Sequence, residues 1–515
     1  MTEEQYKKIC EACDNVLLLP DSTIERVAIP WLHVIREHPL ILSNYLEIFE
    51  HTNGIKELSR KLLGKLRHDA MSIKQIIKSL FFDGNFWYAS TPPAKNVDIL
   101  FVSHFINQAH AGQNTDFYFG SLPDELVMQG YSVAIALINH SKESGEVLVR
   151  KWKGSMVPRL MLSESIGYSE EMILHKRLKN ESFRLKKLEK IQPKGFVKNI
   201  LARASKEALS NGTLSNLRFS RQIGSLVGML NPSSIVTTHE GHAWERILFA
   251  TARNVSQKVL CVGYQHAAVF RLQHAIRRSL SAKYNPDYIF TAGPVGKKQL
   301  EISPWLKEIP ISVLGSNRNL QTDKFELSGT RAPLFNGRLQ NLACLVIPEG
   351  ILTECNFLFE FSLRCAQLCP EIQFIWRLHP AINSETFGKS NIMFLKLPEN
   401  IIFSRDSLEA DIAKCSWALY RGTTAIIPAV VAGLRPLYLK RQGEMTIDPL
   451  YELNDWRIDI NNVGDFICVI KADSTHYSLA ADSGFIYAQE YCRNFYSPIN
   501  ISVIKSVISK NINPN

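Results

Sequence analysis

Apolar positions along the chain recur first at helical spacing and then in short runs that alternate with amphipathic stretches. Segments such as STIERVAIPWLHVIREH (22–38) and IKELSRKLLGKLRHDAMSIKQIIKSLFF (55–82) repeat at three and four residues and predict a helical N-terminal region over 1–94. The pattern changes at VDILFVSHF (97–105). YSVAIALINH (131–140), SSIVTTHE (233–240), KVLCVGYQH (258–266), PDYIFTAG (286–293) and IPISVLGS (309–316) follow as further strand-length runs. Residues 317–341 lose the pattern and read as a linker. The runs then resume with LACLVIPEG (342–350), IQFIWRLHP (372–380), NIIFS (400–404), WALYRG (417–422) and RPLYL (435–439).

Helices fall between these strands. HAWERILFATAR places Trp244, Ile247, Leu248 and Thr251 on one face, and NFLFEFSLRCAQLC and TTAIIPAVVAG follow in the second series. Short apolar strands alternating with helices imply a parallel sheet covered on both faces. Two such series predict an α/β chain of two Rossmann-like domains facing a cleft, over 95–330 and 331–515, the second ending in a helical tail at about 480–511. A basic helical insertion occupies about 150–210 of the first.

Composition adds little to the fold. The 515 residues are 45% hydrophobic and 21% charged, which fits a globular chain rather than a disordered one. Several of the ten cysteines sit in apolar runs, such as Cys261 and Cys344, and read as buried thiols; Cys10 and Cys13 form a lone CxxC without the second pair a zinc site needs. The opening MTEEQYKKICEACDN is polar and no run of about 18 apolar residues occurs, so neither a secretory leader nor a membrane span is expected, and the location expected is cytoplasmic.

Charge narrows the partners. A net charge of +10 favours an anionic one. Eleven basic residues against Glu181 and Glu189 lie between Lys176 and Lys206. They read either as a helix facing an anionic membrane surface or the acceptor, or as a solvated basic face. Aromatic residues are not interleaved as a stacking surface would need, so nucleic acid is not expected as a partner.

In open α/β sheets ligands bind beyond the carboxyl ends of strands, so the candidate chemistry is sought there. One strand ends at His379-Pro380, where proline stops the ladder and the imidazole can meet a phosphate oxygen. Arg377 could add charge there or form a buried ion pair. Gly422 allows close backbone approach, and Thr423-Thr424 are predicted to open a helix whose N–H groups and hydroxyls would hold phosphate. Glu349-Gly350 end a third strand and could touch a base or ribose.

In the first series THEGHAWER delivers Glu240, a candidate general base, with His242 beside it. Gln265 and His266 end the next strand and His104 the first. Asp116 and His266 are the alternative bases. Asp-x-Asp, GxxxxGK[ST], GxGxxG and GxSxG are all absent from the sequence. Departure of a phosphate without a metal would then rest on histidine, hydroxyls and backbone N–H groups, and no metal or further cofactor is expected.

His239-Glu240-Gly241, His379-Pro380 and Thr423-Thr424 resemble, in order and spacing, the acidic-Gly, His-Pro and Ser/Thr motifs of bacterial sialyltransferases and polysialyltransferases of GT-B fold. Position 239 departs from the usual acid. EGHAWER, VGYQHAAVFR and VIPEG are similar to bacterial surface-carbohydrate biosynthesis proteins over roughly 97–440. The resemblance implies inverting transfer of an acidic ulosonic sugar (sialic-acid-like or Kdo) from a CMP donor to a glycan or lipid-linked glycan of the cell surface. Glu240 would be the base, His379 would assist CMP departure, and Thr423 and Thr424 would bind its phosphate. The alternatives are another donor on the same fold (a UDP- or GDP-sugar, or a CDP-polyol) and a non-catalytic subunit of a glycan assembly complex.

Overall fold

The computed structural model describes residues 1–49, 94–106, 115–141, 143–152, 155–318, 342–380, 392–476 and 483–512, with short pieces at 77, 79–80, 84–88, 113, 334–335, 338–339, 382 and 387–388. The predicted helix over 55–82 lies almost wholly outside these residues, as does most of the 317–341 linker.

Eight strands form the first sheet: β1 (Phe86–Trp87), β2 (Ile99–Phe105), β3 (Val133–Asn139), β4 (Arg159–Leu162), β5 (Ser234–Thr238), β6 (Leu260–Gln265), β7 (Tyr288–Thr291) and β8 (Ile311–Val313). Their order is β1-β4-β3-β2-β5-β6-β7-β8, parallel throughout except for β1 on the edge. A small antiparallel pair, β9 (Leu334–Phe335) and β10 (Arg338–Leu339), precedes the second sheet. That sheet comprises β11 (Ala343–Ile347), β12 (Gln373–Trp376), β13 (Ile401–Phe403), β14 (Trp417–Tyr420), β15 (Arg435–Leu439) and β16 (Ile458–Ile460), all parallel in the order β13-β12-β11-β14-β15-β16. Both sheets therefore reverse their winding once, between β2 and β5 and between β11 and β14. These reversals are the switch points at which doubly wound sheets open a crevice. The two Rossmann-like domains expected from the sequence are present.

Period-two alternation splits each strand between two cores. Leu100 and Val102 of β2 pack with Ile223, Leu226, Leu248 and Phe249, which belong to the helices Asn211–Leu230 and Ala243–Val255. Ile99 and Phe101 face the other way, toward Leu122, Leu126, Ile504 and Ile508. The last two belong to the final helix, Ile501–Ile512. The tail thus does not stay with the second domain, where the sequence reading put it. It crosses back at 494–500, where the Ser316 N–H donates to the Ser497 carbonyl at 2.8 Å and the Val295 N–H to the Asn494 carbonyl at 3.1 Å.

The N-terminal layer also departs from expectation. The stretch 22–38 is not one helix. It forms a short turn of helix, Ile24–Val27, then a 3₁₀ turn, Pro30–His33, and leaves helical geometry at Val34. Pro30 lacks the N–H that a continuing helix would need. This layer shares a core with the helices Tyr168–Ile191 and Phe196–Glu207 of the basic insertion, through Ile9, Cys13, Leu32, Leu174, Leu185 and Ile200. The insertion's inner face carries buried ion pairs, Glu181 with Arg26 at 2.6 Å and Glu171 with Arg218 at 2.6 Å. Lys176, Lys179, Lys186, Lys187 and Lys190 are exposed on its outer face. The insertion is not helical throughout, since β4 lies inside it. No helix among the described residues is long and apolar enough to cross a membrane.

Candidate active site between the two sheets

At the second switch point, β11 ends in Pro348-Glu349-Gly350 and β14 in Arg421-Gly422-Thr423. These ends touch. A methyl group built on Gly422 would lie 2.8 Å from Oε1 of Glu349. One built on Gly350 would lie 2.7 Å from Nδ1 of His379, which follows β12. Glu349, Gly350, His379 and Gly422 therefore form one cluster, and a larger residue at either glycine would require the Glu349 or His379 side chain to move. His379 is half-buried, and burial lowers its pKa although the nearby Glu349 charge raises it.

Thr423 and Thr424 do not open the helix as predicted. The helix is Ile426–Val431, and both threonines precede it in a turn, where the Ala425 N–H donates to Thr423 Oγ1 at 3.3 Å. Pro428 explains the shift, because a proline is tolerated in a first turn but cannot donate inside a helix. Arg377 takes the ion-pair role: it donates to Asp411 Oδ2 at 2.8 Å and to the Asp406 carbonyl at 2.5 Å. Pro380 is exposed at the cluster's edge.

At the first switch point, β5 runs into His239-Glu240-Gly241-His242. Glu240 Oε2 lies 3.5 Å from His242 Nε2, and Oε1 lies 3.7 Å from His266 Nε2. Burial alone would raise the Glu240 pKa, but His242, His266 and Arg36 outweigh it and hold the carboxyl well below the usual glutamate range. His242 moves up in turn: burial opposes its charge, and Glu240 and Glu245 more than restore it. His266 is lowered by burial and packs on Tyr118, ring centroids 4.4 Å apart.

Other predicted residues are engaged elsewhere. His104 bonds to His140 at 2.9 Å and Thr238 at 3.2 Å, and burial together with His140 pulls its pKa down to about 3. Asp116 Oδ1 accepts from Ser103, Tyr118 and Phe119, each at 2.9 Å, and so holds a turn. The Gln265 amide donates to the Ala267 carbonyl and packs on Gly296. His239 is fully buried, against Gly263 and 3.1 Å from Glu245.

Three residues that the sequence reading passed over organise the cleft. Glu245 accepts from the N–H groups of Glu240, Gly241 and His242 at 2.7–3.1 Å and so fixes the loop that carries Glu240. Its spacing from His242 is that of a capping box, a signal the sequence did carry. Arg421 is buried between Glu354 and Glu444, both at 2.8 Å, and anchors the β14 end. His38 donates from Nε2 to Glu349 Oε1 at 2.8 Å. The Leu40 N–H donates to its Nδ1, which leaves the ring proton on Nε2. His38-Pro39 repeats the His379-Pro380 dipeptide, and Glu349 stands between the two histidines.

The segment around His38 also relates the two sheet edges. Arg36 acts on the charge of Glu240, at the first edge, and His38 bonds Glu349, at the second. Residues two apart span at most about 7 Å of chain. Segment 35–38 of the N-terminal layer therefore runs beside both carboxyl edges: the Ile35 carbonyl accepts from Ala275, whose backbone lies against Gly241, and His38 bonds Glu349. Among the described residues, no group of three or more His, Cys, Asp or Glu side chains is arranged to hold a metal ion.

No protein-family model matches the chain, and no curated protein sequence does. Among solved structures it is similar to S. aureus MnaA in complex with UDP, at 12% identity and a TM-score of 0.45, over 80% of this chain and 97% of that one. It is similar to Anabaena Alr3699/HepE in complex with UDP and glucose, at 10% identity and a TM-score of 0.42, over 81% and 99%. It is also similar to the glycosyltransferase SnogD from Streptomyces nogalater, at 13% identity and a TM-score of 0.39, over 81% and 100%.

Proposed function

We propose that the protein is a glycosyltransferase that binds a nucleotide sugar at the second sheet's switch point and activates an acceptor hydroxyl at the first. The observation that carries this reading is the contact of Glu349, Gly350, His379 and Gly422 at one edge opposite Glu240 at the other. Backbone bared by glycine, a histidine and the Thr423 and Thr424 hydroxyls form a cradle suited to a phosphate. Glu240 takes the acceptor proton as the acceptor oxygen attacks the anomeric carbon. The bond from that carbon to the phosphate oxygen breaks, and His379 supports the departing nucleotide. One displacement inverts the centre and yields glycoside, free nucleotide and a proton.

The donor proposed is a CMP-linked acidic ulosonic sugar, on the motif resemblance. The acceptor proposed is a surface glycan, and if it is lipid-linked the basic outer face of Tyr168–Ile191 would lie against an anionic membrane. A second reading of the base has its own support. His266 is lowered by burial and its Nε2 lies 3.7 Å from Glu240 Oε1, so that nitrogen could take the acceptor proton in place of the carboxylate.

A thermal-shift panel of CMP, CDP, UDP, UMP and GDP tests the donor. Selective stabilisation by CMP that disappears in His379→Ala supports the proposal. A response confined to UDP or GDP overturns the CMP assignment, and no response to any nucleotide overturns the transferase reading.

A further inference from the structure

Val34 is fully buried with φ +42° and ψ +65°, a left-handed conformation that a β-branched residue seldom adopts. Such strain persists only where the surroundings enforce it, and it gathers at ligand sites. Here it turns the chain out of the Pro30–His33 turn and sends Ile35–His38 across the cleft. The segment is held on both sides of Arg36. The Ala275 N–H donates to the Ile35 carbonyl at 3.4 Å, the Leu272 N–H donates to Glu37 at 2.6 Å, and His38 bonds Glu349. The Ala275 backbone in turn lies directly under Gly241, where a methyl group would come within 2.2 Å of it. Ile35–Arg36 is thus one layer away from the loop that carries Glu240.

Arg36 itself is half-buried, its guanidinium 4.9 Å from the centroid of Phe270. It makes no hydrogen bond or ion pair among the described residues. Stacking on a ring sets the orientation of the guanidinium fork while leaving its N–H groups available, and that fork matches a carboxylate. The Glu240 carboxyl is held well below the usual glutamate range, and its charge would repel an acidic sugar placed beside it unless a cation answered the sugar's own charge.

We propose that Arg36, delivered by the N-terminal layer, receives the carboxylate of the transferred sugar beside Glu240. The site therefore selects acidic over neutral sugars, and residues 30–38 are part of the active site rather than an appendage to it. This inference rests on the nucleotide-sugar reading above.

The test is calorimetric titration of the full chain, wild type, Arg36→Gln and Arg36→Lys, with CMP, CMP-N-acetylneuraminate, UDP and UDP-glucuronate. Wild type should bind an acid-sugar nucleotide about tenfold more tightly than the bare nucleotide, the size expected of a charge-assisted hydrogen-bonded pair. Arg36→Gln should erase that ratio while bare-nucleotide affinity stays within about twofold, and Arg36→Lys should recover part of it. Glutamine retains a stem over Phe270, and lysine retains the charge should the glutamine variant fold poorly. An unchanged ratio in a folded variant overturns the inference and leaves the nucleotide reading standing. An equal loss for the bare nucleotide also overturns it, placing Arg36 on the phosphate. Failure of wild type to bind any of the four ligands overturns both.

Discussion

His38 donates from Nε2 to Glu349 Oε1 at 2.8 Å across 311 residues of sequence, and both side chains are buried. A hydrogen bond from the N-terminal layer therefore fixes a carboxylate at the wall of the proposed nucleotide site. His38→Ala should leave that carboxylate without its donor and cost about 2 kcal/mol, within the range for hydrogen bonds to charged groups. His38→Gln should restore part of it. Urea unfolding of the three proteins measures the difference, and nucleotide affinity should fall in the same order.

The loop that carries Glu240 depends on Glu245, which accepts three consecutive backbone N–H groups. Glu245→Ala should cost about 2–3 kcal/mol, since the buried Gly241 N–H left without an acceptor costs about 1–3 kcal/mol and the two half-buried N–H groups add less. Glu245→Gln keeps one acceptor oxygen and should lie between. In the glutamine variant turnover should drop more than nucleotide affinity, because the nucleotide proposed lies on the other sheet.

Gly241 has φ +85°, and a methyl group there would meet the Ala275 backbone at 2.2 Å. Gly241→Ala thus combines backbone strain with a clash against main chain, together about 3 kcal/mol or more. Gly422→Ala instead meets the Glu349 side chain at 2.8 Å. It should cost less stability and more nucleotide affinity. Paired melting curves and titrations separate the two effects.

The Glu240–His242 pair gives a pH prediction with a definite sign. Glu240 is held below its ordinary 4.5, so its stabilising contribution is present above 4.5 and is lost as pH falls through the depressed value. His242 is held above its ordinary 6.5, so its contribution is full below 6.5 and is lost as pH rises through the elevated value. Pairing should stabilise the fold most between about 4.5 and 6.5. His242→Ala should flatten that window in unfolding curves taken against pH, and it should move the acid limb of kcat/KM upward as Glu240 loses its partner. If His266 is the base, the wild-type acid limb reports a histidine, and Glu240→Gln retains residual activity while His266→Ala does not.

The sequence exposed the two sheets because their central strands are continuous apolar runs. β2, β3, β11 and β14 are buried on both faces and carry a strong signal. β1, β4 and β16 are two to four residues long and were not anticipated; β1 lies within the N-terminal region read as helical, and β4 within the insertion read as helical. The cluster of Glu349, His379 and Gly422 could be anticipated because a switch point brings particular strand ends together. Arg36 and His38 could not, because their role follows from the reversal at Val34 and from contacts more than two hundred residues away. Helical spacing over 22–38 marked the stretch only as part of a helical region. Arg377 and Asp116 show the converse: the charge of Arg377 at its strand end is taken up by Asp411, and Asp116, in the loop after β2, is taken up by Ser103 and the N–H groups of Tyr118 and Phe119.

The proposed nucleotide site lies where β11, β12 and β14 end. Amide hydrogen exchange of the intact protein, with and without saturating CMP, tests it most directly. Bound nucleotide should slow exchange at 347–350, 378–382 and 421–427, with 35–40 of the N-terminal layer protected alongside. Protection confined to other segments, or an exchange map that CMP leaves unaltered, would contradict it.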